Sequence, residues 1–330
     1  MLDFKISYDL GPVAAWFELD FCIDLIPKIE EAGFDVAWMG DHLIPWFHTH
    51  AHSPQAWVLL TIMAERTRKI PIGSDVTVPM FKYHPVIVAH AFGTMGRLYP
   101  GRVLLGVGSG EAINEAPFVD RWPRWKERAE MLIEAIELMR KFWTAEDYFD
   151  FEGKYFKIKG LYCYDKPKKP VPIYFSALGP KAAYLAGKHG DHLMTAGPLS
   201  HLRDVVFPRF EEGAKDAGKD TTKMEKVVYL DGGLGDIGKL VAKYRKTSAS
   251  SLLPESFDER DPRKLEKIGS KVPDEVIKAN ACLFSSANEF IELISGLKNI
   301  GATHFILGDW GYDPEGTIKA FKEEVIPYLK

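Results

Sequence analysis

The stretch VAWMGDHLIPW, residues 36–46, decides how this chain is interpreted. Its first four residues are apolar and Gly40 follows them, which indicates a buried strand that ends in a loop. Asp41 and His42 stand side by side directly after that strand. Because functional loops follow the carboxyl ends of parallel strands, this acid–imidazole pair predicts a site of proton transfer.

A second apolar strand ends in the same way. Residues 103–107, VLLGV, run into GSGEAINE, which places Glu111 at the end of its own strand. A glutamate on one strand end and an imidazole on another are expected to meet if the two strands belong to one sheet. Trp46, four residues after His42, would add the aromatic wall that a pocket for an apolar substrate needs.

Strand and helix patterns alternate along the whole chain. Eight apolar stretches predict strands, at residues 4–8, 36–39, 69–78, 103–107, 171–177, 191–195, 227–230 and 304–307. Helical spacing lies between them, and the Ser53-Pro54 pair predicts an N-cap with a proline at the first helical position. Eight units favour an α/β fold of the (β/α)₈ TIM-barrel type, and a doubly wound open sheet is the alternative.

The pattern predicts one domain over residues 1–330 with two insertions. Residues 148–168 alternate about Glu152-Gly153, which is typical of a β-hairpin. Residues 232–278 are polar and are expected to form helices that cover the pocket.

Composition restricts the classes of function. The net charge is −4 without a basic stripe, which argues against a nucleic-acid partner. Three dispersed cysteines suit a reducing cytosol. The N-terminal segment lacks the pattern of a signal peptide, and no run of about 18 apolar residues occurs, so a cytoplasmic protein with no membrane partner is expected.

Three local motifs have competing interpretations. GVGSGE, residues 106–111, lacks the third glycine of a dinucleotide fingerprint, and Glu111 in its place would repel a pyrophosphate. The run HTHAH, residues 48–52, lacks a further ligand at a suitable spacing, so no metal is expected. Gly179-Pro180-Lys181 opens a helix and predicts either an anion site or an ordinary helix start.

Five segments together resemble the coenzyme F420-dependent dehydrogenases of the bacterial luciferase-like superfamily. They are GDHLIPWFHTH, SDVTVP, YHPVIVAHAFGTM, YPGRVLLGVGSGEAINE and IYFSALGP. The resemblance covers most of residues 1–218 and, more loosely, the last fifty. Within the group, the chain is most similar to the secondary alcohol dehydrogenases and the glucose-6-phosphate dehydrogenases. The resemblance implies a (β/α)₈ barrel, a homodimer, and a deazaflavin held at the carboxyl ends of the strands.

The resemblance also implies roles for individual residues. His42 would take the proton of the substrate hydroxyl, Glu111 would supply or stabilise a proton at the N1 side of the ring, and Trp46 would steady the charged intermediate. Hydride would pass from the carbinol carbon to C5 of the deazaflavin. Asp75-Val76 falls where the family has a non-prolyl cis peptide. The positions matching the cofactor-binding set are Asp41, Asp75, Val76, Ser109, Gly110, Asn114, Leu178, Gly179, Lys181 and Ala182.

This sequence departs from the sugar-phosphate enzymes where those have cations. Pro198, Ser256 and Asn280 stand at the positions of two lysines and an arginine. A phosphate dianion would bind poorly without them, so a small, uncharged secondary alcohol or its ketone is the expected substrate. The alternatives are a sugar-phosphate dehydrogenase, a methylene-tetrahydromethanopterin reductase, an FMN-linked monooxygenase and a non-catalytic flavin- or deazaflavin-binding protein.

Overall fold

Eight parallel strands form a closed barrel in the part of the chain that the computed structural model describes, residues 2–329 without the side chain of Glu255. The strands, in chain order, are β1 (Lys5–Asp9), β2 (Ala37–Met39), β3 (Ile72–Thr77), β4 (Val103–Val107), β5 (Phe149–Glu152), β6 (Lys157–Leu161), β7 (Ile173–Ser176), β8 (His192–Thr195), β9 (Lys226–Leu234), β10 (Cys282–Phe284) and β11 (His304–Asp309). The barrel order is β1–β2–β3–β4–β7–β8–β9–β11, and β11 pairs with β1 to close it. The predicted barrel is therefore confirmed, and the open sheet is excluded.

Helices surround the barrel. They are α1 (Gly11–Trp16), α2 (Leu19–Glu31), α3 (Ala56–Arg66), α4 (Pro85–Leu98), α5 (Ala112–Glu115), α6 (Trp125–Thr144), α7 (Pro180–His189), α8 (Leu199–His201), α9 (Phe207–Asp216), α10 (Ile237–Thr247), α11 (Pro262–Gly269), α12 (Asp274–Asn280), α13 (Ala287–Asn299), α14 (Pro314–Ala320) and α15 (Ile326–Leu329). In the longest, α6, buried residues such as Leu132, Ile136 and Met139 recur at helical spacing and face the barrel. None of the helices in residues 2–329 combines the length and apolar character needed to cross a bilayer.

A tryptophan fills the inside of the barrel. Trp38 is fully buried and packs edge-to-face on Tyr174, with ring centroids 5.3 Å apart. Gly73 on the neighbouring strand leaves room for it, because a Cβ there would lie 2.4 Å from the indole. The barrel interior is thus a packed core, and any ligand has to bind at an end of the strands.

The start of α3 differs from the sequence prediction. The helix begins at Ala56, and Gln55 caps it by accepting a hydrogen bond from the Val58 N–H. Ser53 instead donates its hydroxyl to the main-chain oxygen of His42, at 2.8 Å. The predicted Ser53 cap was wrong, because this hydroxyl instead contacts the loop after β2. The local sequence pattern around Ser53 does not contain that contact.

The two segments expected to be insertions contain a pair of strands and a group of helices. Strands β5 and β6 pair in antiparallel fashion, so the hairpin is confirmed. Strand β9 continues to Leu234, four residues beyond the predicted strand, because Cys282–Phe284 pairs with its last three residues. The predicted helical material therefore starts after Leu234 and comprises α10, α11 and α12.

A buried polar network closes the amino-terminal end of the barrel. Glu225 contacts His304 Nδ1 at 3.0 Å and the Lys5 ammonium at 2.5 Å. Ser7 Oγ lies 2.5 Å from the other ring nitrogen of His304. Burial acts to raise the pKa of Glu225, but the hydrogen bond that it accepts from His304 and the charge of Lys5 outweigh burial and hold the pKa well below its usual range.

We expect Glu225→Gln to lower the free energy of unfolding by about 3 kcal/mol, because the buried partners lose a charged acceptor. Urea unfolding near neutral pH measures this change. A depressed carboxylate pKa contributes stability above the unfolded value of about 4.3, and that contribution is lost as the pH falls below it. The difference between the two proteins should therefore shrink in acid.

Glu152→Gln is the matched control, since Glu152 forms a solvent-exposed pair with Lys157 at 3.7 Å. We expect this change to cost less than about 0.5 kcal/mol. Equal costs for the two substitutions would contradict a structural role for the Glu225 network.

Candidate active site

Two adjoining cavities open at the carboxyl ends of the barrel strands. The first, here called the aromatic cavity, has a volume of about 640 Å³, and its walls include Trp46, Phe47, Phe257 and Trp310. The second, here called the glycine cavity, has a volume of about 680 Å³ and is lined by the loops that carry Gly108, Gly110 and Gly179. Both have the size of small-molecule sites.

The two cavities share one wall. His42 and Glu111 line both of them, together with Asp75, Leu178, Ala196, Tyr229 and Phe257. The imidazole from the β2 end and the carboxyl from the β4 end, which the sequence placed 69 residues apart, therefore meet at one site. A flat molecule in the glycine cavity would contact this wall, and so would a substrate in the aromatic cavity.

His42 is held by one ring nitrogen. Its Nδ1 lies 2.8 Å from the Asn114 amide nitrogen and 3.3 Å from the main-chain oxygen of Ile44. No described residue forms a hydrogen bond with Nε2. Burial lowers the pKa of His42 to about 4, and the charge of Lys82 contributes to the decrease. The ring is therefore neutral at physiological pH and able to accept a proton.

Asn114 fixes the loop that carries His42. Its side-chain oxygen accepts hydrogen bonds from the N–H groups of Leu43 and Ile44, at 2.8 and 3.0 Å. Because that oxygen is occupied, the amide N–H₂ is the group that faces the imidazole. Asn114 thus positions both the loop and the ring.

The pKa of Glu111 is displaced in the opposite direction to that of His42. Burial raises its pKa to about 7, the neighbouring Glu115 adds to the increase, and the charge of Lys82 opposes it. The carboxyl can therefore carry or release a proton near neutral pH. Two titratable groups whose pKa values are displaced in opposite directions are typical of an acid–base pair.

A buried ion network lies behind both groups. The Lys82 ammonium is 3.1 Å from a carboxylate oxygen of Asp41 and 3.6 Å from one of Glu115. The other oxygen of Asp41 accepts a hydrogen bond from Thr77 at 2.9 Å. Burial raises the pKa of Glu115 to about 7, although Lys82 acts to lower it. Asp41 also lines the glycine cavity, as predicted for a residue that binds a ligand there.

All ten residues predicted to bind the cofactor line the glycine cavity. They are Asp41, Asp75, Val76, Ser109, Gly110, Asn114, Leu178, Gly179, Lys181 and Ala182. The Asp75–Val76 peptide is cis, as the resemblance implies. Gly110 has a φ of +82°, and a Cβ on Gly108 would lie 2.7 Å from Val76, so this wall needs glycine.

The same cavity offers groups that suit an anionic, ring-containing ligand. Helix α7 begins at Pro180 with no side-chain cap, and Lys181 lies in its first turn. Free N–H groups and a lysine at a helix start favour a phosphate. The hydroxyl of Thr195 is buried and has no partner among the described residues, so it can contact a ligand. The donor set therefore fits the cofactor that the resemblance implies.

The aromatic cavity has an acidic floor. Asp231 accepts hydrogen bonds from Trp310, Tyr244, Ser248 and Tyr229, at 2.8 to 3.0 Å. Burial raises the pKa of the adjacent Asp9 to about 7, and the charge of Asp231 adds to the increase. Nothing in the sequence pattern marked these carboxyls, because β1 and β9 are brought together only by the closed barrel.

The remaining wall of the aromatic cavity is apolar. Trp46 lies beside His42, with ring centroids 6.4 Å apart, and packs edge-to-face on Phe257 at 6.0 Å. Trp46 therefore lies beside the imidazole, at the wall of the aromatic cavity. Phe257 comes from the helical insertion, which contributes to the pocket as expected.

The three positions expected to lack cations lie in two different environments. Pro198 and Asn280 line the aromatic cavity, whereas Ser256 is fully buried outside it. Sequence reasoning missed Lys278, an exposed residue that lines the same cavity. Among residues 2–329, no group of three or more His, Cys, Asp or Glu side chains has the arrangement of a metal site.

Solved structures show the same architecture. An F420-dependent secondary alcohol dehydrogenase, solved in complex with an F420-acetone adduct, superposes with a TM-score of 0.95 at 37% identity, and each chain covers 100% of the other. The coenzyme F420-dependent tetrahydromethanopterin reductase from Methanopyrus kandleri reaches a TM-score of 0.75 at 21% identity, covering 99% of this chain and all of its own. At that lower identity the likeness concerns the fold alone.

The sequence relatives are named for a different substrate, glucose 6-phosphate. An F420-dependent glucose-6-phosphate dehydrogenase from Mycolicibacterium fortuitum is 34% identical over 100% of this chain and 99% of its own length. Its counterpart from Segniliparus rotundus is 36% identical with the same coverage. The model of the luciferase-like monooxygenase family matches residues 5–304. The chain therefore belongs to the luciferase-like monooxygenase family, in agreement with the resemblance seen in its sequence.

Proposed function

We propose that this protein is a coenzyme F420-dependent alcohol dehydrogenase acting on a small, uncharged secondary alcohol or its ketone. The coarser part, an F420-dependent oxidoreductase, is supported by the names of the relatives together with the fit of the glycine cavity. The finer part, the choice of a small uncharged alcohol as the substrate, depends on the charges of the aromatic cavity. When bound, the cofactor would exchange a hydride at C5 with the carbinol carbon of the substrate.

One observation carries the proposal: His42 and Glu111 line both cavities and have pKa values displaced in opposite directions. A neutral imidazole next to the aromatic cavity can take the proton of a substrate hydroxyl. A carboxyl with a pKa of about 7 can hold a proton at the other side of the reacting region. The pair thus serves a reaction in which hydride and proton leave an alcohol together.

The tautomer of His42 is set by its surroundings. For Nε2 to accept the substrate proton, the ring hydrogen has to be on Nδ1, where the carbonyl of Ile44 can accept it. The Asn114 amide favours the other tautomer, because it donates towards Nδ1. A substrate hydroxyl that donates to Nε2 would favour the Nδ1–H form, in which the hydrogen bond from the Asn114 amide to Nδ1 is lost and the carbonyl of Ile44 becomes the partner of the ring.

The charges of the aromatic cavity support an uncharged substrate. Asp9, Asp75 and Asp231 line it, and Pro198 and Asn280 supply no positive charge. Burial raises the pKa of Asp75 and brings that of Asp9 to about 7, so these two carboxyls repel a phosphate dianion only when they are ionised, and none of the three carboxyls gives it a cationic partner. The apolar surface of Trp46 and Phe257 suits an alkyl chain.

A sugar-phosphate dehydrogenase is the second candidate. The relatives named for glucose 6-phosphate match over the full length of this chain, and Lys278 provides one cation at the aromatic cavity. A single exposed lysine stabilises a bound phosphate much less than a set of three cations would. This candidate therefore ranks below the alcohol dehydrogenase.

His42→Ala should lower kcat for alcohol oxidation by about 10²- to 10⁴-fold, because the reaction loses its general base. The reduction of F420 by propan-2-ol, followed by the loss of visible absorbance, measures this rate. Fluorescence titration should show nearly unchanged F420 affinity. His90→Ala is the control, since His90 is exposed on α4 away from both cavities, and turnover that survives the loss of His42 would refute the assignment.

The pH dependence of kcat/KM should have two limbs. Oxidation should decrease below about pH 4, where His42 gains a proton, and above about pH 7, where Glu111 loses one. Glu111→Gln should lower the maximum and remove the alkaline limb, because glutamine does not titrate. If the alkaline limb is unchanged in Glu111→Gln, a group other than Glu111 causes it.

Propan-2-ol should be oxidised with a kcat/KM at least about 100-fold higher than that of glucose 6-phosphate, because the dianion lacks cationic partners. Steady-state kinetics with both compounds at saturating F420 give the ratio. A ratio below one, together with a loss of sugar-phosphate turnover in Lys278→Ala, would favour the second candidate.

A further inference from the structure

Lys82 is a buried cation that the predicted site does not include. Its side chain extends inward from the segment after β3 and is 3% exposed. The ammonium contacts the carboxylates of Asp41 at 3.1 Å and Glu115 at 3.6 Å, and it donates a hydrogen bond to the main-chain oxygen of Asp41 at 2.9 Å. It also lies 5.1 Å from the centre of the Tyr83 ring.

These contacts connect the loops that follow three neighbouring strands. The main-chain oxygen of Asp41 belongs to the peptide group that leads into His42. On the other side, Glu115 is the neighbour of Asn114, which holds the His42 ring and the two N–H groups after it. The main-chain N–H of Lys82 also donates to Glu115, at 3.3 Å. One ammonium therefore links the ends of β2, β3 and β4 directly behind the imidazole.

We propose that Lys82 is a positioning residue of this site, whose ammonium holds the His42 loop in place and whose charge adds to the resistance of the imidazole to protonation. The proposal rests on the proposed role of His42 as the base. Lys82 does not line either cavity, so it holds the loop through its contacts with Asp41 and Glu115, whereas its charge acts on the ring through space.

The charged groups around His42 act in opposite directions. Lys82 opposes protonation of the ring, whereas the Asp41 carboxylate favours it. Glu111 and Asp75 share the cavity wall with the imidazole, and Glu115 lies on the far side of Lys82. Burial is the largest cause of the low pKa of His42, and Lys82 is the largest charge that adds to it.

The charges of Lys82 and Glu115 shift the pKa of Glu111 in opposite directions. Lys82 lowers the pKa of Glu111, and Glu115 raises it. Removing Lys82 should therefore raise the pKa of Glu111, and removing the Glu115 charge should lower it. A role limited to packing would not produce shifts of opposite sign.

The test is a histidine titration in the full-length protein without alcohol. The ring-proton NMR signal of His42, assigned with His42→Ala, is followed in wild type and in Lys82→Met, which keeps most of the side-chain volume. We expect the pKa of His42 to rise by about one pH unit in Lys82→Met. Lys82→Arg, which restores the charge, should return it towards the wild-type value.

A matched control separates charge from burial. Lys243 is also a buried lysine, held by the main-chain oxygen of Gly311 at 2.7 Å, and it lines neither cavity. Lys243→Met should destabilise the protein without moving the His42 titration. If Lys82→Met does not fold, the Lys82→Met/Glu115→Gln variant removes the cation together with its buried partner, and the same rise is expected.

The kinetic arm follows the alkaline limb of kcat/KM. It should move to higher pH in Lys82→Met and to lower pH in Glu115→Gln. An unchanged His42 titration in Lys82→Met or in the double variant would overturn the proposal. Alkaline limbs that move in the same direction in Lys82→Met and Glu115→Gln would also overturn it. If no alcohol is oxidised by wild type, the proposed function fails, while the titration still decides the effect of Lys82 on the ring.

Discussion

The site depends on one buried cation shared by two carboxylates. The barrel brings the ends of β2, β3 and β4 close together, but loops at strand ends are free to adopt many conformations. The Lys82 ammonium, between Asp41 and Glu115, fixes the three loops relative to one another. A buried lysine left without these partners would be costly, so the arrangement favours a single geometry over looser ones.

Burial has opposite consequences for the two groups on the shared wall. Removing water disfavours the charged form of each, so it lowers the pKa of the His42 imidazole and raises that of the Glu111 carboxyl. The result at neutral pH is a base without its proton and an acid close to half-protonated. One physical cause, acting on two residue types, thus produces both halves of the proton chemistry.

Carboxyl groups and a helical insertion together form part of the aromatic cavity. The floor of the aromatic cavity consists of carboxyls from β1, the segment around the cis peptide, and β9. Asp231 joins that floor to the helical insertion through Tyr244 and Ser248. Asp231 therefore anchors the insertion and also contributes a carboxyl to the aromatic cavity. The shape of this cavity and the charge of the substrate that it accepts thus depend on the same residue.

The sequence by itself determined the barrel and the strand-end positions of His42 and Glu111, because strand periodicity and the short motifs after each strand are local properties, whereas the residues of the glycine cavity were implied by the family resemblance. Only the tertiary structure decided the partner of Ser53, the full length of β9, and the grouping of Lys82 with Asp41 and Glu115. Those contacts join separate segments of the chain, and nothing in the local sequence of either segment identifies the partner. Burial, too, exists only in the folded molecule, so the displaced pKa values that support the proposed chemistry could not be predicted from residue types.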